Sequence, residues 1–119
     1  MKRILAVDDA VSLRNMLCDC LRGAGHDVYE AGNGQEALDQ LKAHKPDIVI
    51  TDLTMPVMDG LDFIEAARKE PEGQGLPMLL LTTETADRLK QRARAVGATG
   101  WLTKPFDPDQ VLKLVDQLT

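Results

Sequence analysis

Apolar residues in this chain follow two alternating patterns, short unbroken runs and longer stretches in which they recur every three or four positions. The runs Ile4–Val7, Ile48–Ile50 and Met78–Leu81 are too short for helices and apolar on successive positions, as expected of strands covered on both faces. Asp27–Ala31 and Gly100–Thr103 read as shorter strands of the same kind. Between them lie five helical patterns. Leu13, Met16, Leu17, Cys20, Leu21 and Ala24 share one predicted helical face, with Gly25 as the stop. Asn33, with Glu36 three residues on, opens a second helix carrying Ala37, Leu38 and Leu41 inward until Pro46 ends it. A third is entered through Asp59-Gly60 and buries Leu61, Ile64 and Ala67, giving way to the turn-rich stretch Pro71 to Pro77.

For the fourth helix the pattern predicts a Thr85 cap, inward Ala86, Leu89, Ala93 and Val96, and a stop at Gly97. Asp107-Pro108-Asp109-Gln110 combines an N-cap, a proline at the first helical position and a capping-box partner ahead of Val111, Leu114, Val115 and Leu118. Strict alternation of strand and helix implies an α/β fold, a doubly wound five-stranded parallel sheet flanked by five helices with right-handed crossovers. At 119 residues the chain is expected to form a single domain, 1–119, and it contains no linker, repeat or low-complexity tract.

Composition narrows the function. With 44% apolar and 28% charged residues the chain is expected to fold alone, and a net charge of -5 argues against general binding to nucleic acid or an anionic membrane. The apolar stretch Ile4–Val7 is too short for a signal peptide or a membrane span, which implies a cytoplasmic protein. Cys18 and Cys20, turned about 200° apart on a helix, are expected to be reduced, Cys20 in the core and Cys18 nearer the surface. His26 and His44 read as loop or surface residues.

Ligand crevices of open α/β sheets lie beyond the C-terminal ends of the strands. Here the first strand ends in Asp8-Asp9, the third in Asp52 and the fourth in Thr82, and Lys104 follows the fifth. Three carboxylates crowded together repel unless a cation joins them, and oxygen-only ligands favour Mg²⁺, which accepts one or two carboxylates and leaves positions for phosphoryl oxygens. A carboxylate can itself accept a phosphoryl group, with Lys104 and Thr82 supplying charge and a hydrogen bond to its oxygens. Singly, each residue is equally well an N-cap, a turn former or a surface bend. Their joint placement at strand ends makes the case.

Val7-Asp8-Asp9, Thr51-Asp52 with Met55-Pro56-Val57-Met58-Asp59-Gly60, Leu81-Thr82 and Lys104-Pro105-Phe106 together resemble the response-regulator receiver domains of two-component signalling, essentially from end to end. That resemblance implies the flavodoxin-like strand order 2-1-3-4-5 and a signalling switch rather than an enzyme. It also implies that Asp52 is the phosphoacceptor, Asp9 a direct Mg²⁺ ligand, Asp8 an acid acting through water, and Thr54 the donor of a backbone carbonyl to the metal. Thr82 would bond the phosphoryl group, Lys104 would pair with it, and the Lys104-Pro105 bond would be cis. The phosphoryl donor would be a histidine kinase.

In such a switch Thr82 moves toward the phosphoryl group and an aromatic residue on the last strand turns into the vacated space; here that residue is Trp101, whose other reading is a partly exposed structural tryptophan. The signalling face would comprise the fourth helix, fifth strand and fifth helix. Arg88 and Arg92 flank one side of the fourth helix's apolar stripe and Lys90 and Arg94 the other, a basic patch suited to an acidic partner or simply a solvated face. Thr83 and Thr54 depart from common neighbours of such a site and bear on access of water or phosphatase, and Glu84, two past Thr82, bears on phosphate lifetime.

Without an output module in the sequence, a separate protein is expected to carry the signal. The Gly97–Phe106 stretch is similar to single-domain chemotaxis regulators of the CheY type, implying a monomer that binds a flagellar motor switch protein. The alternatives are a phosphorelay shuttle, a phosphate sink, or a Mg²⁺-dependent phosphohydrolase. The last is disfavoured by Thr54 where such enzymes carry a second acid. A flavin domain is disfavoured by the acidic first loop.

Overall fold

A computed structural model of the protein describes residues 2–84 and 86–119. Strands β1 (Arg3–Val7), β2 (Asp27–Ala31), β3 (Ile48–Asp52), β4 (Met78–Thr82) and β5 (Gly100–Thr103) alternate with helices α1 (Val11–Gly23), α2 (Gly34–His44), α3 (Gly60–Arg68), α4 (Asp87–Val96) and α5 (Pro108–Leu118). All strand pairs are parallel, in the order β2-β1-β3-β4-β5. Both the alternation and the order agree with the expectations from the sequence.

Successive residues of a strand face opposite sides, so the sheet divides two cores. Leu5, Val7, Val49, Met78 and Leu80 point toward α2, α3 and α4, where they meet Leu41, Phe63, Ile64 and Ala93. Ile4, Ala6, Ile48, Ile50, Leu79 and Leu81 point the other way, onto Leu17 and Leu21 of α1 and Val111 and Val115 of α5.

The helix ends follow the local chemistry read from the sequence. Asn33 accepts the N–H of Glu36 at 2.9 Å, Asp59 that of Asp62 at 2.8 Å, and Asp107 that of Asp109 at 3.0 Å. Glu36 reaches past Asn33 to the N–H of Gly32 at 3.1 Å. Gly25 and Gly97 adopt positive φ just past α1 and α4, and the Lys104-Pro105 bond is cis. The expected Thr85 cap lies outside the described residues. Helix α4 begins at Asp87 with Ala86 at its cap position, so Ala86 is exposed rather than inward.

One face was read wrongly. Helix α1 buries Leu17, Cys18 and Leu21, while Leu13, Met16 and Ala24 are exposed and Cys20 is only half-buried. The two cysteines therefore exchange the places expected for them. Leu17 and Leu21 belong to both possible stripes, and the choice falls to their neighbours: Arg14, on the Cys18 side, finds carboxylate and carbonyl partners at the sheet and turns that side inward. Both thiols are free, and burial, reinforced by nearby Glu30, pushes Cys18 up to about 11, so it stays protonated at neutral pH.

Candidate functional site

Chain connections diverge at β1 and β3: β1 leads outward to β2 on one side, while β3 leads to β4 on the other. A crevice opens above such a point. The register pairs Val7 with Thr51, which sets Asp8 beside Asp52, and pairs Asp52 with Leu81 and Thr82 with Thr103. Carboxylate oxygens of Asp8, Asp9 and Asp52 all lie within 4.8 Å of one another. Asp8 and Asp52 are buried and Asp9 is exposed. Lys104 Nζ stands 2.7 Å from Asp52 Oδ1 and 3.7 Å from Asp8 Oδ2. Residues far apart in sequence, each chosen as a strand terminus, thus meet in one pocket.

Burial raises the Asp8 carboxyl above its ordinary value and the facing Asp52 and Asp9 add to the rise, against the N–H of Ala10 and the charge of Lys104. Carboxylates so placed gain from a divalent cation more than from one lysine, and a donor set made entirely of oxygen fits Mg²⁺. Thr54 is exposed in the loop two residues beyond Asp52.

That loop is held at several points. Met55 is buried in the core, and the N–H of Gly34 bonds to the carbonyl of Met58 at 3.1 Å. Gly60 comes so close to β3 that a Cβ there would lie 2.1 Å from the Asp52 carbonyl oxygen. The motif from Met55 to Gly60 is therefore an anchoring sequence: one side chain, one backbone carbonyl and one missing side chain fix the turn that follows the Asp52 carboxylate. Val57, at φ 70° and largely exposed, occupies the left-handed region inside this turn.

Thr82 is buried, and its Oγ1 accepts the N–H of Glu84 at 3.0 Å. Trp101 is half-buried, with Lys90 Nζ 5.1 Å and Arg94 Cζ 5.8 Å from its ring. Between Thr82 and Trp101 runs a crevice bounded by Leu80, Leu89 and Ala93 that is too narrow for a water molecule. On the opposite side of α4, Arg92 pairs with Asp62 of α3 at 3.2 Å. Lys90 and Arg94 thus face the tryptophan and Arg92 an ion pair, while Arg88 is exposed.

Two features escaped the sequence reading. Leu13 and Met16, assigned to the core, instead line a groove of about 310 Å³ with Leu81, Pro105 and Phe106, directly beside Asp8 and Lys104. Arg14, which carried no role, bonds to the backbone of Asp8. The only available signal was negative: on the helix, Leu13 and Met16 compete with Arg14 and Cys18 for the inward side.

The response regulator receiver domain family matches residues 4–116. The chain is 37% identical to the chemotaxis protein CheY of Thermotoga maritima over 120 residues, covering 99% of this chain and 98% of that protein. The solved structure of the chemotaxis response regulator CheY4 of Vibrio cholerae superposes with a TM-score of 0.93 at 44% identity, covering 100% and 99% of the two chains. The transcriptional regulatory protein PdtaR of Mycobacterium tuberculosis is 36% identical over 116 residues, and this chain spans 55% of its length. The chain belongs to the receiver domain family, and within it to the CheY-like response regulators. Receiver domains are phosphorylation-dependent signalling switches that bind Mg²⁺ at an acidic pocket and interact with histidine kinases. Among the described residues no helix is long and apolar enough to cross a membrane.

Proposed function

We propose that Asp52 accepts a phosphoryl group from a histidine kinase and that the signal leaves through α4, β5 and α5, in a chemotaxis pathway of the cytoplasm. The observation that carries this reading is the meeting of Asp8, Asp9 and Asp52 within 4.8 Å with Lys104 bonded to Asp52. A Mg²⁺ ion would be held by Asp9, Asp52 and the Thr54 carbonyl, with Asp8 acting through water, and would neutralise charge on the phosphoryl oxygens. An Asp52 carboxylate oxygen forms the new O–P bond as the P–N bond of a phosphohistidine breaks and the imidazole departs. Lys104 then follows the charge from the carboxylate to the phosphoryl oxygens. The apolar groove lined by Leu13, Met16, Pro105 and Phe106 beside Asp8 and Lys104 suits a partner helix that must set its histidine over this pocket.

Downstream, Thr82 exchanges its bond with the Glu84 amide for one with the phosphoryl group. The crevice beside it has no room for an indole, so inward rotation of Trp101 requires α4 to move, which breaks its contacts with Lys90 and Arg94. Similarity to CheY over the full chain supports chemotaxis, and a flagellar motor switch protein is the partner this implies.

Acetyl phosphate with Mg²⁺, followed by intact mass and Trp101 fluorescence, tests the site. Wild type gains a phosphoryl adduct and a fluorescence change, and Asp52→Asn gains neither. Equal adduct on Asp52→Asn removes Asp52 as the acceptor. Pull-down with and without a beryllofluoride mimic separates a switch, which captures its partner only when modified, from a shuttle or sink.

A further inference from the structure

Of the two α1 arginines that bond to the sheet, Arg14 is the one that reaches the backbone of Asp8. Nη1 donates to the backbone carbonyl oxygen of Asp8 at 2.7 Å, and Nε donates to Glu30 Oε1 of β2 at 3.1 Å. Glu30 is in turn gripped by Arg22, whose Nη2 lies 3.2 Å from Glu30 Oε2 and also donates to the Val28 carbonyl at 3.0 Å. The guanidinium of Arg14 is therefore aimed by a carboxylate that is itself fixed to the edge of the sheet.

We propose that Arg14 is a positioning residue for the metal pocket: by holding the Asp8 carbonyl it orients the Asp8-Asp9 peptide and, with it, both carboxylates that face Asp52. This rests on the reading of the pocket as a Mg²⁺ site. The argument is one of backbone accounting. Asp8 is the first residue past β1 and is buried; β2 still serves its N–H, but its C=O needs a partner from outside the sheet. Its N–H donates to the Ala31 carbonyl at 3.1 Å, and its carbonyl takes Arg14. With the two ends of the residue tied to β2 and α1, the Asp8 side chain is set toward the N–H of Ala10, and the peptide plane that launches Asp9 has one orientation.

Removing the Arg14 contact leaves a buried carbonyl unpaired, and the cheapest relief is to rotate that peptide toward water. Asp9 swings with it. Groups that orient metal ligands in this way change metal affinity by about 10–100-fold when removed. Arg22 supplies the control, since it shares Glu30 with Arg14 and touches neither Asp8 nor Asp9.

The test is calorimetric titration of Mg²⁺ into the intact chain, with thermal unfolding in chelator measured alongside. Wild type, Arg14→Met, Arg14→Lys and Arg22→Met are compared. Arg14→Met is expected to weaken Mg²⁺ about tenfold or more. Arg14→Lys keeps the charge, loses the fork that reaches two partners at once, and recovers part of the affinity. Arg22→Met is expected to lower the unfolding temperature while binding Mg²⁺ as wild type does. Wild-type affinity in both Arg14 variants, or equal weakening in Arg22→Met, overturns the positioning role alone. A wild-type chain that takes up no Mg²⁺ overturns the metal reading and this inference together.

Discussion

Helices α3 and α4 lie side by side on one face of the sheet and are built to opposite specifications. In its nine residues α3 buries Gly60, Leu61, Phe63, Ile64 and Ala67, is capped by Asp59, and presses its first glycine onto the Asp52 carbonyl. Helix α4 is ten residues long and buries only Ala93, and its cap residue, Ala86, makes no side-chain bond to the first amides. Its other end is secured: Arg68 donates through Nε and Nη2 to the Gly97 carbonyl at 3.0 and 2.7 Å. The helix next to the acceptor is thus fixed by a buried face along its length, and the helix next to Thr82 is held by one buried alanine, the Arg92–Asp62 ion pair and the bonds at its remote end. Chemistry needs carboxylates that hold still, whereas signalling needs an element whose position costs little to change.

Phe63→Ala should show the largest effect, because it empties a fully buried ring site; a loss of about 3–5 kcal/mol is expected in denaturant unfolding. Gly60→Ala comes next, at about 1–3 kcal/mol, because the added methyl meets backbone rather than a side chain that can turn away. It should also slow phosphorylation by acetyl phosphate, since Asp52 must shift. Leu89→Ala on α4 should cost below about 2 kcal/mol, its side chain being only partly covered. If Leu89→Ala proves as damaging as Phe63→Ala, the contrast between the two helices is lost.

Asp8 allows a test by pH. Burial, reinforced by Asp52, raises its carboxyl in the folded chain, so the folded state favours the protonated form. That contribution to stability is full below the carboxylate's unfolded value and is lost as the pH rises through the raised folded value. Metal-free Asp8→Asn should therefore melt above wild type at neutral pH, the gap closing in acid, while saturating Mg²⁺ should reverse the order. Glu30 behaves oppositely. Burial would raise it, but bonds from Arg14 and Arg22 outweigh burial and lower it, so its contribution is present above the unfolded value and lost on acidification. The smallest effects should come from Lys90→Ala and Arg94→Ala, about 0.5–1 kcal/mol each, read as a change in Trp101 emission.

What could be read along the chain was what local chemistry decides. Strand and helix alternation follows from short unbroken apolar runs against a 3.6-residue period, the caps at Asn33, Asp59 and Asp107 from side chains that bond the amides just beyond them, and the candidate acids from their places at strand ends. Periodicity also placed Leu61, Ile64 and Ala67 of α3 and Val111 and Val115 of α5 inward correctly, but it passed over Phe63, which α3 buries fully. On α1 it failed, because Leu13, Met16 and Cys20 offer one inward face and Arg14 and Cys18 another, both sharing Leu17 and Leu21.

That choice was made by the Asp8 carbonyl and the Glu30 carboxylate, which no pattern within the helix contains, and it exposed the apolar groove as a by-product. The width of the crevice beneath Trp101 was likewise beyond the sequence, since it depends on where α4 settles against β4 and β5. The order of elements and the identity of the chemistry reside in residues and their near neighbours. Which face a helix shows, and how much room it leaves, are settled by contacts between segments that only the folded chain brings together.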